Sequence, residues 1–298
     1  MALNILYRGP LSSCNYDCGY CPFAKRHETA AELKRDQQAL ARFVAWVAKH
    51  RDGEISILFT PWGEALVRRW YRQTLVELSH LPYLRRVAIQ TNLSCRLDWL
   101  AACNTGKVNF WCTWHPSEIA LDEFLAQAVE LDRYGVQYSV GIVGVREAFD
   151  HIRRARARLA PQVYLWINAL KDMPKYYSAD EVEFLESIDP HFRTNLVNHA
   201  SLGEHCWAGE TAIAVDGAGD IRRCHFVRVV IGNIYQPDWW QALQRRVCPN
   251  ATCGCHIGYV HLPRLGQQAI YGDGLLARIP QDDGEFDHAA SIAASHER

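Results

Sequence analysis

Short apolar runs alternate with longer amphipathic stretches over about the first 190 residues of the chain. A run such as 54–59, EISILF, has the length and composition of a buried strand. The stretches between such runs repeat apolar residues at helical spacing, and Leu33, Leu40 and Val44 lie on one such stripe. Six strands that alternate in this way with helical stretches predict an α/β protein with a parallel sheet.

The predicted elements place several loops at one end of that sheet. Strands are predicted at 4–7, 54–59, 86–90, 108–113, 136–143 and 163–168, and helices at 29–49, 66–79, 121–134, 148–159 and 179–188. The carboxyl ends of parallel strands gather at one edge. We therefore expect the loops that begin near residues 8, 60, 91, 114, 144 and 168 to converge on one mouth.

Beyond residue 200 the pattern changes. Short strands at 211–215 and 220–223 are joined by the turn sequence DGAG, which predicts a hairpin, and a helix is predicted at 238–246. A segment rich in Cys and Gly follows. We expect three parts: a barrel-like domain over 1–195, a small cysteine-rich α+β domain over 200–262, and a mobile tail over 281–298.

Three cysteines lie close together just after the first predicted strand. In the segment 9–23, GPLSSCNYDCGYCPF, Cys14, Cys18 and Cys21 are spaced CxxxCxxC. Three thiolates leave one iron of a 4Fe-4S cube open, and an open iron can bind a small chelating molecule. The alternative is a structural zinc site, which needs a fourth ligand; the nearest candidate is His27.

This spacing, with Tyr20 before the third cysteine, resembles the radical S-adenosylmethionine (SAM) superfamily. The resemblance implies that SAM binds the open iron and is cleaved reductively to methionine and a 5′-deoxyadenosyl radical, which abstracts hydrogen from a substrate. It implies a partial (β/α)6 TIM-type barrel. It also implies a small-molecule or peptide substrate and an electron donor such as flavodoxin or ferredoxin.

Further strand ends resemble motifs of the same superfamily. The turn Thr60-Pro-Trp-Gly-Glu64 resembles its GGEP motif, 90–92 (QTN) resembles its TNG segment, and 142–147 resembles the second half of GxIxGxxE. Trp62, Ala65, Leu93 and Val140 depart from these motifs. The resemblance implies SAM contacts by Tyr20, Gly63, Glu64, Asn92, Ile142, Gly144 and Glu147. Ser117 and Asn168 are further candidates because they lie at strand ends, and the alternative for Asn168 is a purely structural strand-end residue.

The end of the fourth predicted strand carries the candidate catalytic residues, His115 and Glu118, beside Trp114 and Ser117. An imidazole or a hydroxyl there could meet the SAM carboxylate or the substrate. Trp114 and Trp62 are expected at the mouth as well. The alternative is a strand-end histidine that bonds to the next helix, with Ser117 as the helix N-cap.

A second cysteine set comprises Cys206, Cys224, Cys248, Cys253 and Cys255. Its layout resembles the Twitch and SPASM extensions of radical SAM enzymes, and five cysteines fit one auxiliary 4Fe-4S cluster of the Twitch type. We expect Cys206, Cys224, Cys253 and Cys255 as ligands and Cys248 as the spare thiol. A structural zinc ribbon is the alternative. Cys95, Cys103 and Cys112 are scattered singly and are expected to be buried as small hydrophobic residues.

Composition narrows the classes of function. The 298 residues carry 32 basic and 33 acidic side chains, which disfavours nucleic-acid binding. Neither a signal peptide nor a membrane-spanning run is recognisable, and an odd number of clustered cysteines, eleven, suits metal ligation in the cytoplasm. The sequence thus predicts a radical SAM enzyme. The alternatives are a radical SAM modifier of peptide or protein side chains and a non-catalytic zinc-binding interaction module.

Overall fold

Six parallel strands lie side by side in chain order in a computed structural model that describes residues 3–23, 26–50, 53–171, 173 and 175–281. The strands are β1 (Leu3–Arg8), β2 (Ile55–Phe59), β3 (Leu84–Thr91), β4 (Val108–Thr113), β5 (Gln137–Val143) and β6 (Leu165–Asn168). The helices of this part are α1 (Ala30–Lys49), α2 (Arg69–Ser79), α3 (Leu121–Arg133), α4 (Phe149–Arg158), α5 (Ala179–Ile188) and α6 (Phe192–Leu196). The predicted α/β class and partial TIM-type barrel are confirmed.

Local signals explain several element boundaries. Thr29 and Glu32 form a capping box at the start of α1, as Ser178 and Glu181 do at α5. Helix α3 is followed by Gly135 with a φ of +67°, a left-handed conformation that glycine adopts easily. These signals are local in sequence, which is why the predicted bounds lie close to the observed ones.

The two faces of the sheet bury different sets of side chains. Alternate strand residues such as Ile57 and Phe59 face the helices and form the larger core. The opposite face lines the barrel interior, where Leu58, Trp111 and Trp166 pack together. Trp166 lies across β5 at Gly141, where an added Cβ would come within 2.0 Å of the indole ring. Trp111 and Trp166 are therefore the largest side chains of this interior cluster.

The chain near residue 277 fills the rest of that interior. Leu276 and Ala277 pack on the interior cluster, and the Ser139 hydroxyl donates to the Ala277 carbonyl at 2.7 Å. Asp273 forms an ion pair with Arg85 near the start of β3. This segment closes the amino-terminal end of the barrel, and sequence reasoning did not foresee it.

The region after residue 196 is built from short strands that return to the barrel. They are β7 (His199–Ala200), β8 (His205–Cys206), β9 (Ala212–Asp216), β10 (Asp220–Arg222), β11 (Val230–Asn233), β12 (Arg246–Val247) and β13 (Thr252–Cys253), and the helices α7 (His256–Tyr259) and α8 (Gln267–Tyr271) follow. Strand β9 pairs in parallel with β1, so the predicted hairpin of β9 and β10, together with β11, extends the barrel sheet to nine strands. Strand β12 pairs with β8, and β13 pairs with β7.

The predicted helix over 238–246 is wrong. A 3-10 turn covers Trp239–Ala242, and Arg246 then enters β12 opposite Cys206. The Arg246 guanidinium donates to the carbonyls of Gly209 and Ala242 at 3.0 and 2.7 Å, which favours this pairing over another helical turn. The predicted tail beyond Gln281 lies outside the described residues. Within the described ranges no helix is long and apolar enough to span a membrane.

Candidate functional site

The three clustered cysteines lie on the loop that follows β1. Cys18 is buried, while Cys14 and Cys21 are partly exposed. The Cys21 N–H donates to the Cys18 carbonyl at 3.0 Å, and the Tyr16 N–H donates to Cys14 Sγ at 3.4 Å. Burial raises the pKa of Cys14 and raises the pKa of Cys18 to about 11, and neighbouring thiols add to both shifts. These two thiols therefore keep their protons near neutral pH until a metal displaces them.

The donor chemistry of the loop suits an iron–sulfur cluster. Thiolates are the ligands that iron–sulfur clusters use, and three of them here lie on one short loop. No group of three or more Cys, His, Asp or Glu side chains within the described ranges is arranged to hold a metal ion. A 4Fe-4S cube needs no such convergence on one atom, because each thiolate binds a different iron.

The turn after β2 packs against the cysteine loop through its backbone. The Glu64 N–H donates to the Ser13 carbonyl at 3.1 Å. At Gly63 an added Cβ would lie 1.8 Å from the same carbonyl oxygen. Only glycine permits so close an approach, so Gly63 is required by the contact between this turn and the loop.

The Glu64 side chain is buried between β2 and β3, with 2% of its surface exposed. Its carboxylate accepts hydrogen bonds from the Leu66 N–H at 2.9 Å, the Thr91 hydroxyl at 2.9 Å and the Asn92 N–H at 2.6 Å. Burial raises the pKa of Glu64 to about 7, and these hydrogen bonds oppose the rise. The carboxylate therefore ties the ends of two strands together beneath the loop.

The end of β3 contacts the loop directly. Asn92 Nδ2 donates to Asn15 Oδ1 at 3.1 Å and lies 3.8 Å from Cys14 Sγ, and Asn15 Nδ2 donates to Ser94 Oγ at 3.0 Å. Leu93 has a φ of +58°, a conformation that favours glycine, at the position where the family motif has its Gly. Sequence reasoning missed Asn15 and Ser94, although both are polar residues next to motif positions.

The end of β4 reaches the other side of the loop. His115 Nδ1 lies 2.6 Å from the Tyr20 hydroxyl, and the two rings stack. Glu118 Oε2 accepts from the Asp17 N–H at 3.1 Å, and its Oε1 accepts from the Ser117 hydroxyl at 3.2 Å. Burial lowers the pKa of His115 to about 4, so the imidazole is neutral at pH 7.

One alternative and one expectation at β4 are wrong. Ser117 does not cap α3, because the N-cap is Ala120. Trp114, expected at the mouth, is buried in the helix-side core, where its indole N–H donates to the Ile119 carbonyl at 3.0 Å. The side chain of Trp114 thus lies on the opposite face of the sheet from the barrel interior.

The ends of β5 and β6 are joined to each other. The Gly144 N–H donates to the Asn168 carbonyl at 2.9 Å, and the Tyr177 hydroxyl donates to the Gly144 carbonyl at 2.7 Å. Ile142 packs in the helix-side core, whereas the side chains of Glu147 and Asn168 are exposed. Any contact between Ile142 and a ligand in the barrel would therefore involve its backbone.

Comparison with known proteins gives matches in structure but not in sequence. No protein-family model matches the chain, and no curated protein matches it significantly. The structure of native anSMEcpe with bound AdoMet and Cp18Cys peptide matches with a TM-score of 0.55 at 15% identity, over 82% of this chain and 80% of that chain. That of histidine-tagged anSMEcpe with bound AdoMet matches with a TM-score of 0.55 at 14% identity, over the same shares. These neighbours are radical SAM enzymes.

The chain shares the fold of these radical SAM enzymes. At 14–15% identity the likeness concerns the fold alone. In this fold the cysteine loop and the ends of β2, β3 and β4 occupy one mouth.

Four of the five later cysteines share one region next to the barrel. Cys206 lies on β8 and Cys253 on β13, whereas Cys224 and Cys248 follow β10 and β12. Burial, together with the nearby thiols of Cys224, Cys248, Cys206 and, to the smallest extent, Cys255, raises the pKa of Cys253 to about 12. Burial raises the pKa of Cys224 as well, and Cys206 and Cys248 contribute to that rise. Cys248 therefore belongs with the other three.

Cys255 has different neighbours. Burial raises its pKa, and the Ile257 N–H and the cations of Lys171, Arg278 and Arg8 oppose that rise. Its side chain is nevertheless exposed to solvent. Cys248 thus influences the pKa values of Cys206, Cys224 and Cys253, whereas among these three Cys255 influences only that of Cys253.

Sequence reasoning also missed Arg8, the last residue of β1. The available signal was a charged residue at the end of an otherwise apolar strand. Cys95 and Cys112 pack in the helix-side core and Cys103 packs against it, as predicted for small hydrophobic residues.

Proposed function

We propose that this chain is a radical SAM enzyme in which Cys14, Cys18 and Cys21 hold a 4Fe-4S cluster. When bound and reduced, the cluster supplies the electron that cleaves SAM to methionine and a 5′-deoxyadenosyl radical, which abstracts hydrogen from the substrate. An electron donor such as flavodoxin or ferredoxin would reduce it. The observation that carries the proposal is the cysteine loop, which lies at the mouth of a radical SAM fold and is held by the ends of three neighbouring strands.

We assign positioning roles to the residues that hold the loop. Glu64 and Asn92 support it from β2 and β3, and His115 and Glu118 hold it from β4. The hydrogen-bonding atoms of His115 and Glu118 that face the loop are already engaged by Tyr20 and Asp17. Preorganisation of the loop would fix the place at which SAM binds.

The remaining mouth residues are our candidates for contact with SAM. Gly144 and Asn168, joined through their backbones, lie where β5 and β6 end. Tyr20, Ser117, Glu147 and the backbones of Gly63 and Ile142 complete this candidate set. The apolar interior below them, which includes Trp111 and Trp166, supports the proposal, because a carbon radical has to be protected from water.

We further propose that Cys206, Cys224, Cys248 and Cys253 hold one auxiliary 4Fe-4S cluster. Four thiolate ligands leave no iron open, which favours electron relay or bracing of the fold over substrate binding. The alternative is a structural zinc ion, although no three Cys, His, Asp or Glu side chains among the described residues converge on one ion. The metal content decides between the two.

A peptide substrate is a second candidate. An exposed aromatic group formed by Tyr20, Phe23 and Trp62 lies at the mouth, with the Phe23 and Trp62 ring centroids 4.7 Å apart. The protein anSMEcpe, which has a similar fold, binds the Cp18Cys peptide. Exposed aromatic side chains are typical of surfaces that bind peptides.

The decisive experiment is SAM cleavage by the anaerobically reconstituted full chain with dithionite. We expect 5′-deoxyadenosine and about eight irons per chain. Cys14→Ala should abolish the product, because it removes one of three cluster ligands, whereas the control Cys103→Ala changes a partly buried cysteine far from the loop. Turnover by Cys14→Ala would overturn the proposal. Zinc without brown absorbance would support the interaction module instead.

A further inference from the structure

A cavity of about 620 Å³ opens at the carboxyl ends of β1 and β9. Its polar lining comes from Arg8, Arg35, Asp216, Arg222 and His225, and Trp62 forms one wall. We propose that this cavity binds an oxyanion, the carboxylate or phosphate group of the substrate. The inference rests on the proposed radical SAM function and names the chemical class of substrate for it.

Arg8 is the centre of the argument. Its Nε donates to the Thr60 carbonyl at 2.8 Å, and the guanidinium lies 4.0 Å above the Trp62 ring. These contacts fix the plane of the guanidinium but engage only one of its five N–H groups. Within the described part of the chain no carboxylate lies within ion-pair distance of Arg8. A half-buried, oriented and unpaired guanidinium is suited to bidentate binding of a carboxylate or phosphate.

The other charges around the cavity leave it positive. Asp216, the carboxylate in the lining, lies 2.6 Å from the Arg222 guanidinium and also accepts from the Ala218 N–H at 2.9 Å. The negative charge of Asp216 is therefore compensated by Arg222. Arg35 lies at the rim, 3.9 Å from Glu32. The uncompensated charge in the cavity is thus the cation of Arg8.

His225 adds a further polar group beside Arg8. Its Nε2 lies 3.0 Å from the Thr60 hydroxyl. An imidazole ring there can donate or accept a hydrogen bond to the bound group.

The cavity adjoins the cysteine loop. The cavity is lined by Gly9 and Pro10, which begin that loop. It is also lined by Trp62, which belongs to the turn whose Gly63 and Glu64 support the loop. Its volume lies in the range of small-molecule sites. An oxyanion bound by Arg8 would therefore anchor a small substrate next to the proposed SAM site.

The test is isothermal titration of the reconstituted full chain at low ionic strength, with inorganic phosphate in one arm and malonate in the other. We expect the wild type to bind at least one probe and Arg8→Gln to bind it at least about tenfold more weakly, because a charge-assisted bidentate contact is lost. Arg8→Lys keeps the positive charge but lacks the two parallel N–H donors of the guanidinium, so its affinity for the probe should be intermediate. Arg42→Gln is the matched control, since Arg42 also stacks on a ring, that of Tyr235 at 3.6 Å, but does not line the cavity.

The inference is overturned if the wild type binds neither probe, or if Arg8→Gln and Arg8→Lys both bind as tightly as the wild type. Preference for phosphate or for malonate tells which oxyanion the substrate carries. The two proposals fail separately. Protein that cleaves SAM but binds neither probe overturns only this inference, whereas protein that binds a probe but makes no 5′-deoxyadenosine overturns only the radical SAM proposal.

Discussion

The two cysteine sets differ in how the fold brings them together. Cys14, Cys18 and Cys21 lie within one loop, so their spacing alone predicts a common centre. Cys206, Cys224, Cys248 and Cys253 lie on four segments, and short strand pairings bring them near one another. A local set can be read from a motif, whereas a dispersed set depends on contacts that the sequence does not display.

The two sets also differ in what holds them. The loop is contacted from the ends of β2, β3 and β4. The dispersed set depends on two-residue strands and on Arg223, whose guanidinium donates to the Arg246 carbonyl at 3.1 Å and to the Val247 carbonyl. We therefore expect single substitutions to affect the two centres independently.

The largest expected effect distinguishes Cys248 from Cys255. Cys248→Ala should remove about four of about eight irons per chain, because it takes a ligand from the auxiliary cluster. Cys255→Ala should keep all of them, and iron and sulfide analysis measures the difference. Loss of iron in Cys255→Ala with retention in Cys248→Ala would restore the ligand set expected from the sequence.

A smaller effect tests Glu64, the buried carboxyl group beneath the loop. Burial raises the pKa of Glu64 from 4.5 to about 7, so the folded metal-free protein holds this proton more tightly than the unfolded chain does. The contribution of this proton to the free energy of unfolding is complete below the pKa that Glu64 has in the unfolded chain. It is lost as the pH rises through about 7, and the free energy of unfolding then falls by about 3 kcal/mol.

Urea denaturation of the wild type and of Glu64→Gln at about pH 5 and about pH 8 measures this change. The amide cannot ionise, so the difference in unfolding free energy between the two proteins should depend on pH. Glu147→Gln, at an exposed carboxylate, is the control. An equal difference at both pH values would show that Glu64 does not titrate in this range.

The smallest effect concerns the contact between the loop and β4. Tyr20→Phe keeps the ring that stacks on His115 but removes the hydroxyl that lies 2.6 Å from its Nδ1. We expect a loss of about 1 kcal/mol, seen as several-fold faster release of iron from the loop to a chelator. The auxiliary cluster should release iron at an unchanged rate. Faster release from both centres would mean that they are coupled.

Local signals predicted the barrel and the loop, and long-range contacts account for what was missed. The capping box at Thr29 and the Gly after α3 mark helix ends within a few residues, so those elements are predictable. The pairing of β9 with β1 joins residues about 200 positions apart, and no local period encodes it. The same holds for Ala277 in the barrel interior and for Arg8 in its cavity.

The most direct measurement removes the loop ligands altogether. The variant Cys14→Ala, Cys18→Ala and Cys21→Ala, reconstituted anaerobically with iron and sulfide, should form no 5′-deoxyadenosine from SAM yet keep about four irons per chain. That result would show a radical-generating centre on the loop and a separate centre on the dispersed cysteines. Continued 5′-deoxyadenosine formation, or loss of all the iron, would contradict it.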